Sequence, residues 1–199
     1  MPDFSAQDVK TLRELTGAGF MDCKRALEEA SGDMDKAVAI LRERGLAAAA
    51  KKSGREAREG LISSYIHTGG RVGVLIEVNC ETDFVARTDE FQKLTRDLAV
   101  QVAGLKPLYI EPDQIPAEDL VAKKQELLDD PAVKGKPEDV RPRIVEGQLK
   151  KWFQQVCLYE QPFRDEERTV RELITERIAT IGENIVVRRF TRYALGEEL

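Results

Sequence analysis

The chain has 199 residues, of which 42% are hydrophobic and 34% charged, a profile typical of a helix-rich globular protein and not of a disordered chain. Its 36 acidic and 31 basic residues give a net charge of −5, which argues against a dedicated duplex nucleic-acid binder held by counterion release. A protein partner fits this charge balance better.

Residues 1–45 are predicted to form three short helices, because apolar residues recur there at helical spacing between start and stop signals. The first helix begins at Ser5 and ends at Gly17-Ala18-Gly19, where glycine permits a tight reversal. The third begins after Asp33, and we expect Gly45 to end it. Because so small a bundle buries little apolar area, we interpret it as a recognition module attached to a larger domain.

Residues 46–60 combine an alanine run with four basic residues and almost no bulky side chain, so we interpret them as a partly helical linker. From Leu61 the hydrophobic period changes to two. Two alternating runs flank Thr68-Gly69-Gly70, a pattern typical of a β-hairpin. Residues 80–87 then form a turn between the second strand and the next helix.

The rest of the chain is predicted to contain four helices and a last strand, with the weakest pattern in the proline-containing segment 106–137. The elements are a helix from about Thr88, an acidic helix around 117–128, a helix from about 140 to 158, a helix capped by Thr169 and Glu172, and the strand IVVRRFTRYAL. Strands before and after helices indicate a small, mostly antiparallel sheet covered by helices on one face. The predicted fold is α+β, with a three-helix module (1–45), a linker (46–60) and an α+β core (61–199).

The most informative segment is the turn from Cys80 to Val85, because it places a carboxylate, Asp83, beside a large aromatic residue, Phe84. Two interpretations are open. In the first, Phe84 packs in the core and Asp83 caps the next helix. In the second, Phe84 projects as a wedge against a protein partner, where the neighbouring carboxylate competes for hydrogen bonds or for the water ligands of a metal ion.

Catalysis by this chain would require a nucleophile and a base, and the candidate pair is Cys80 with His67, the single histidine. These residues end different strands of the predicted hairpin, near opposite ends of the ladder and beyond hydrogen-bond reach. The sequence also lacks a GxxxxGK[ST] phosphate loop. We therefore expect no catalytic residue and no bound nucleotide, cofactor or metal ion in this chain.

The cysteines and the apolar segments indicate the compartment. Cys23, Cys80 and Cys157 are odd in number and widely spaced, which predicts neither a disulfide framework nor a cysteine metal site. No apolar segment reaches the length of a membrane span, and the first residues lack the order of a signal peptide. We expect a cytoplasmic protein that does not bind membranes.

Two further groups of residues are candidates for binding. Phe20 and Met21 begin the second helix outside its apolar stripe, beside Lys24, and they either staple the preceding turn or contact a partner. The basic cluster Lys51–Arg58 and the pair Arg188-Arg189 could touch phosphate, but in an acidic protein each is better interpreted as a solvated face.

Three blocks of sequence, TGAGFMDCKRALEEASGDMDKAV, EVNCETDFVAR and IGENIVVRRF, closely resemble the elongation factor Ts family in order and spacing, over nearly the whole chain. The first block resembles that family's N-terminal helical domain, which is similar to ubiquitin-associated domains, and TDFV resembles its exchange motif. The resemblance implies a guanine nucleotide exchange factor for elongation factor Tu in translation elongation, and not an enzyme.

The resemblance also implies roles for particular residues. The N-terminal module would dock on the G domain of elongation factor Tu through Arg13, Phe20, Met21 and Lys24. Asp83 and Phe84 would lie beside the partner's nucleotide pocket, and the segment Thr82, Asp83, Phe84 and Val85 would dislocate Mg²⁺ there. Loss of the ion would weaken the binding of GDP to elongation factor Tu. Linkage then implies that the complex without nucleotide is the tight one, until GTP binds.

The chain resembles the short members of the family, since it ends soon after VRRF and lacks the second core half and coiled-coil insertion of longer members. Some short members work as dimers, which would allow a homodimer and a complex of two copies with two of the partner; the sequence leaves this open. Phe20 stands where many relatives have methionine, and this change keeps an apolar side chain at the contact.

Two rival classes of function are a scaffold or ribosome-associated binding module that uses the helical domain, and a small thiol enzyme that uses Cys80.

Overall fold

A computed structural model describes residues 4–164 and 168–197 of the chain. Within these ranges the helices are α1 (Ala6–Thr16), α2 (Phe20–Glu29), α3 (Met34–Ala50), α4 (Asp83–Ala86), α5 (Asp89–Leu105), α6 (Ala117–Asp129), α7 (Pro131–Lys134), α8 (Arg141–Val156) and α9 (Val170–Ile181). The strands are β1 (Glu59–Ile66), β2 (Val72–Cys80) and β3 (Val186–Ala194). The predicted α+β fold is confirmed.

The three strands form one antiparallel sheet in the order β1-β2-β3. The predicted hairpin is confirmed, since the His67 amide donates to the Val72 carbonyl across the turn at 2.9 Å. Along β2, Val74 and Ile76 are buried while Leu75 between them is exposed, so that one face of the sheet is covered and the other is open.

The chain divides by its internal contacts into two compact units. The first comprises residues up to Leu61, Val78–Gln92 and Glu172–Val186, and the second comprises Ile62–Glu77, Lys93–Arg171 and the residues from Val187 onward. Among the described helices, none is long and apolar enough to cross a membrane.

The first unit contains the three N-terminal helices, which pack around a small apolar core that includes Leu12, Cys23 and Leu27. The predicted start of α1 is confirmed, because the Ser5 hydroxyl and the Asp8 carboxylate form a reciprocal capping box. The expectation that Gly45 ends the third helix is wrong, since α3 continues to Ala50. The alanine run after Gly45 favours helix strongly enough to outweigh the cost of about 1 kcal/mol for one internal glycine.

Contacts within the first unit also join the end of α3 to α9. The Lys52 ammonium group lies 3.4 Å from the Ile178 carbonyl oxygen, near the end of α9. A Cβ built on Gly45 would lie 3.5 Å from that of Ala179. The segment after residue 45 is therefore partly helical and anchored, while the division of the chain at residues 45 and 60 stays a prediction.

In the second unit, helices α6, α7 and α8 pack together around Val133, Val145 and Leu149. The single tryptophan, Trp152, lies on this bundle with its ring centroid 5.6 Å from that of Phe153. The acidic helix expected around 117–128 and the helix expected from about 140 to 158 are both confirmed.

Buried polar groups hold the last strand in the second unit. The Val187 amide donates to the Tyr159 hydroxyl at 3.0 Å, and burial raises the pKa of Tyr159 to about 12, so the hydroxyl stays neutral. The Arg171 guanidinium lies 5.0 Å from the centre of the Tyr159 ring and pairs with Glu160 at 2.9 Å. This arrangement satisfies a backbone donor that would otherwise be buried without a partner.

Candidate functional site

The turn that follows β2 presents Phe84 to solvent. Thr82 is the N-cap of α4, and its hydroxyl accepts a hydrogen bond from the Val85 amide at 3.4 Å. Val85 and Ala86 are buried and anchor the turn, and Phe84 is 76% exposed. The interpretation that Phe84 packs in the core is therefore wrong, and the turn carries an exposed aromatic side chain on a helical scaffold.

The Asp83 carboxylate lies beside Phe84 and is also exposed. It accepts a hydrogen bond from the Arg87 guanidinium at 2.7 Å, one turn further along the chain. Because both side chains are solvated, this pair contributes little to stability, on the order of 0.5 kcal/mol. The carboxylate can exchange the Arg87 contact for another partner at small cost.

The loop between α9 and β3 holds the base of this turn. The Glu183 carboxylate accepts hydrogen bonds from the amides of Glu81 and Thr82 at 3.1 and 3.0 Å. It also accepts one from the Thr82 hydroxyl at 2.7 Å. Glu183 lies within the block IGENIVVRRF but is not among the predicted site residues, because a contact between residues about a hundred positions apart leaves no local signal in the sequence.

In a second set of contacts the same loop supplies the hydrogen-bond donors. The Asn184 amide donates to the Glu81 carboxylate at 2.6 Å, and the buried Asn184 side chain donates to the Arg55 carbonyl oxygen at 2.8 Å. The Arg55 guanidinium in turn lies 3.6 Å from Glu81. We call Arg55, Glu81, Glu183 and Asn184 the polar clamp.

The N-terminal candidates lie on α1 and α2. Gly17 ends α1 with φ +68°, a left-handed conformation that favours glycine, and its amide donates to the Arg13 carbonyl oxygen. After this turn, Phe20 and Met21 begin α2 with half of each side chain exposed, 50% and 53%. Lys24 is exposed one turn later. Arg13, Phe20, Met21 and Lys24 are all exposed, two of them apolar and two basic, and we call this set the module patch.

The module patch and the Phe84 turn lie on different elements of the first unit. The residues of the module patch lie on α1 and α2, whereas Asp83 and Phe84 lie on α4. Within the predicted Thr82–Val85 segment, Thr82, Asp83 and Phe84 are exposed and Val85 is buried. Three of the four side chains are therefore open to a partner, although Thr82 is also bonded to Glu183, and Val85 anchors the turn.

The thiols do not resemble the nucleophile of an enzyme. The Cys80 thiol is buried and donates to the Thr82 carbonyl oxygen at 3.1 Å, and burial raises its pKa to about 11. At neutral pH it is protonated and therefore unreactive. The His67 ring instead pairs with the Tyr65 hydroxyl, 2.9 Å from Nδ1. His67 directly follows β1 at the hairpin turn, whereas Cys80 is the last residue of β2.

Comparisons with known proteins point to one family. The family model described as elongation factor TS matches residues 5–176. The elongation factor Ts of Carboxydothermus hydrogenoformans is 58% identical over 197 residues, which cover 98% of this chain and 90% of that protein. Those of Heliobacterium modesticaldum and Thermotoga petrophila are 55% and 56% identical, each over 98% of this chain and over 91% and 98% of their own length.

Proposed function

The chain belongs to the elongation factor Ts family, whose members are translation elongation factors, and we propose that it acts as a guanine nucleotide exchange factor for elongation factor Tu. The observation that carries this proposal is the exposure of Phe84, 76% of which is open to solvent on an anchored helical turn. Burial of an apolar ring held in this way in a partner's pocket is favourable, because the ring loses contact with water without a large loss of conformational entropy.

In the proposed mechanism, Phe84 enters elongation factor Tu near the Mg²⁺ ion that accompanies GDP. There the ion would neutralise charge on the diphosphate that the pocket must otherwise compensate. Asp83, whose contact with Arg87 is exposed and readily replaced, competes for groups around the ion. Dislocation of Mg²⁺ weakens the hold on GDP, which then leaves without any covalent chemistry by this chain.

The module patch supplies the second contact of the proposed complex. Phe20 and Met21 offer exposed apolar area, and Arg13 and Lys24 add positive charge; aromatic residues, methionine and arginine are enriched at protein interfaces. We propose that this patch docks on the G domain of elongation factor Tu. By linkage, bound GDP lowers the affinity of elongation factor Tu for this chain by the same factor by which this chain lowers its affinity for GDP. The complex without nucleotide is therefore the tight one.

The test of the proposed function is stopped-flow release of a fluorescent GDP analogue from purified elongation factor Tu. The wild-type chain should accelerate release strongly, and the double variant Asp83→Ala/Phe84→Ala should lose most of that acceleration. A wild-type chain that leaves the release rate unchanged at saturating concentration would overturn the proposed function. Full activity in the double variant would keep the function and move the mechanism to another surface.

The open face of the sheet supports a homodimer within this function. Strand alternation places four exposed apolar side chains on that face, those of Ile62, Ile66, Leu75 and Tyr193. An ion pair between Glu77 and Arg189, 2.7 Å apart, lies on the same face. A second copy related by a two-fold axis presents the same apolar set and both signs of charge, so we propose that two chains pair there and bind two partners.

Leu75→Glu should convert the dimer to a monomer, because it places a carboxylate in the middle of the apolar face without a partner. Light scattering coupled to size exclusion, at several concentrations, would measure the mass. The matched control is Val121→Glu, at an exposed apolar position on α6. A monomeric wild type would contradict the dimer, as would equal effects of the two variants.

A further inference from the structure

The Glu183 carboxylate satisfies three donors at the start of the Phe84 turn. Both of its oxygens are engaged, one by the amides of Glu81 and Thr82 at 3.1 and 3.0 Å and the other by the Thr82 hydroxyl at 2.7 Å. Hydrogen bonds to an ionised acceptor are stronger than those between neutral groups. Glu183 lies two residues after the end of α9, in the loop that leads into β3.

The turn needs this support because α4 has only four residues, Asp83–Ala86. One turn of helix is not stable by itself, since its few hydrogen bonds do not compensate the ordering of its backbone. The Thr82 hydroxyl donates a hydrogen bond to Glu183, which leaves its lone pairs free to accept from the Val85 amide. Glu183 therefore fixes the hydroxyl in the orientation that caps the helix on which Phe84 lies.

The rest of the polar clamp fixes the loop itself. The Asn184 amide donates to Glu81 at 2.6 Å, so that the loop and the turn are joined by bonds in both directions. The Asn184 side chain is buried and donates to the Arg55 carbonyl oxygen at 2.8 Å. Because Glu183 accepts hydrogen bonds from the turn and Asn184 donates one to it, a shift of the turn along the loop breaks at least one of these bonds.

From these contacts we propose that Glu183 is a positioning residue for nucleotide exchange, which holds the Thr82–Phe84 turn in the orientation that lets Phe84 enter the partner. This inference rests on the proposed exchange function. Glu183 acts through Thr82 and not by contact with the nucleotide. Its loss should lower the maximal rate of GDP release and leave docking by the module patch unchanged.

The test compares two variants of similar length and no charge, Glu183→Met and Glu183→Gln. The glutamine side chain keeps an oxygen that accepts from the two amides, and its NH₂ group can donate to the Thr82 hydroxyl, which reverses the direction of that bond but preserves the contact. Methionine offers no comparable acceptor or donor. In the stopped-flow assay, Glu183→Met should lower the maximal release rate about tenfold, because misplaced contact groups lose rate steeply with distance. Glu183→Gln should stay within about twofold of the wild type, and the half-saturating concentration should change little in both.

Hydrogen exchange of the Glu81 and Thr82 amides provides a readout that is independent of the partner. Both amides should be protected in the wild type and in Glu183→Gln, and lose protection in Glu183→Met. The control is Glu138→Met, which removes an exposed carboxylate from the other unit and should change neither measurement.

Several outcomes would overturn the proposal. The first is a lack of protection of the Glu81 and Thr82 amides in the wild type, a result that does not depend on any variant folding. The second is an unchanged maximal release rate in Glu183→Met, and the third is an equal loss of that rate in both variants. A raised half-saturating concentration at constant maximal rate would make Glu183 a docking residue instead. If the wild type itself failed to accelerate GDP release, the exchange function would fall as well, and the amide protection would still report whether the clamp forms.

Discussion

Phe84→Ala should lower the maximal rate of GDP release from elongation factor Tu by about 30-fold, the effect of losing an interface hot spot worth about 2 kcal/mol. Phe84 makes the largest apolar contribution to its turn and is 76% exposed, so its removal creates no cavity in this chain. The free energy of unfolding should therefore stay within about 0.5 kcal/mol of the wild type. Stopped-flow release and urea denaturation measure the two quantities.

Asp83→Ala should have a smaller effect, about threefold, because the carboxylate is solvated and already shared with Arg87. Leu108→Ala is the matched control, since it removes an exposed apolar side chain from a different part of the chain. A Phe84→Ala variant as active as the Leu108→Ala variant would contradict the wedge. A larger loss in Asp83→Ala than in Phe84→Ala would assign the exchange effect to the carboxylate.

Gly60→Ala should destabilise the protein by about 2–4 kcal/mol, from backbone strain together with steric overlap. Gly60 has φ +142°, which side chains of L-residues rarely adopt. A Cβ at this position would lie 2.1 Å from the Val78 carbonyl oxygen and 2.7 Å from the Asn79 Cα. Since both contacts are with backbone, β2 would have to move, and it leads directly into the Phe84 turn.

Two other glycines separate the causes of that loss. Gly69 also has a positive φ, +88°, but the space around it is open, so Gly69→Ala should cost only the strain, about 1 kcal/mol. Gly54 has open space and no positive φ, so Gly54→Ala should be nearly neutral. Urea denaturation followed by circular dichroism measures all three. A Gly60→Ala variant as stable as Gly54→Ala would contradict the close approach of β1 to β2.

Local patterns predicted the elements of the fold well, because each pattern reflects the physics of a short segment. Alternation around Thr68-Gly69-Gly70 predicted the hairpin, and the Ser5 capping signal predicted the start of α1. The predicted end of α3 at Gly45 is wrong, because the alanines beyond that glycine favour helix and α3 continues to Ala50. Helix termination depends on the sum over several residues and not on one stop signal.

The candidate site was predicted only in part. The sequence placed Asp83 and Phe84 together on a turn, but it could not decide whether Phe84 was buried, because one aromatic residue in a turn has no periodicity. Burial is decided by distant residues, and here Val85 and not Phe84 packs inward. The polar clamp was missed for the same reason, since Glu183 meets Thr82 across about a hundred residues of chain.

The position of Trp152 determines what intrinsic fluorescence can report about this protein. As the single tryptophan, it dominates emission, and it lies on the α6–α8 bundle of the second unit beside Phe153 and under the Lys123 ammonium group. A fluorescence melting curve therefore follows that bundle. Local opening of the three N-terminal helices, which belong to the first unit, would be silent in emission and visible in far-ultraviolet ellipticity. A mismatch between the two curves would show that the units unfold in separate steps.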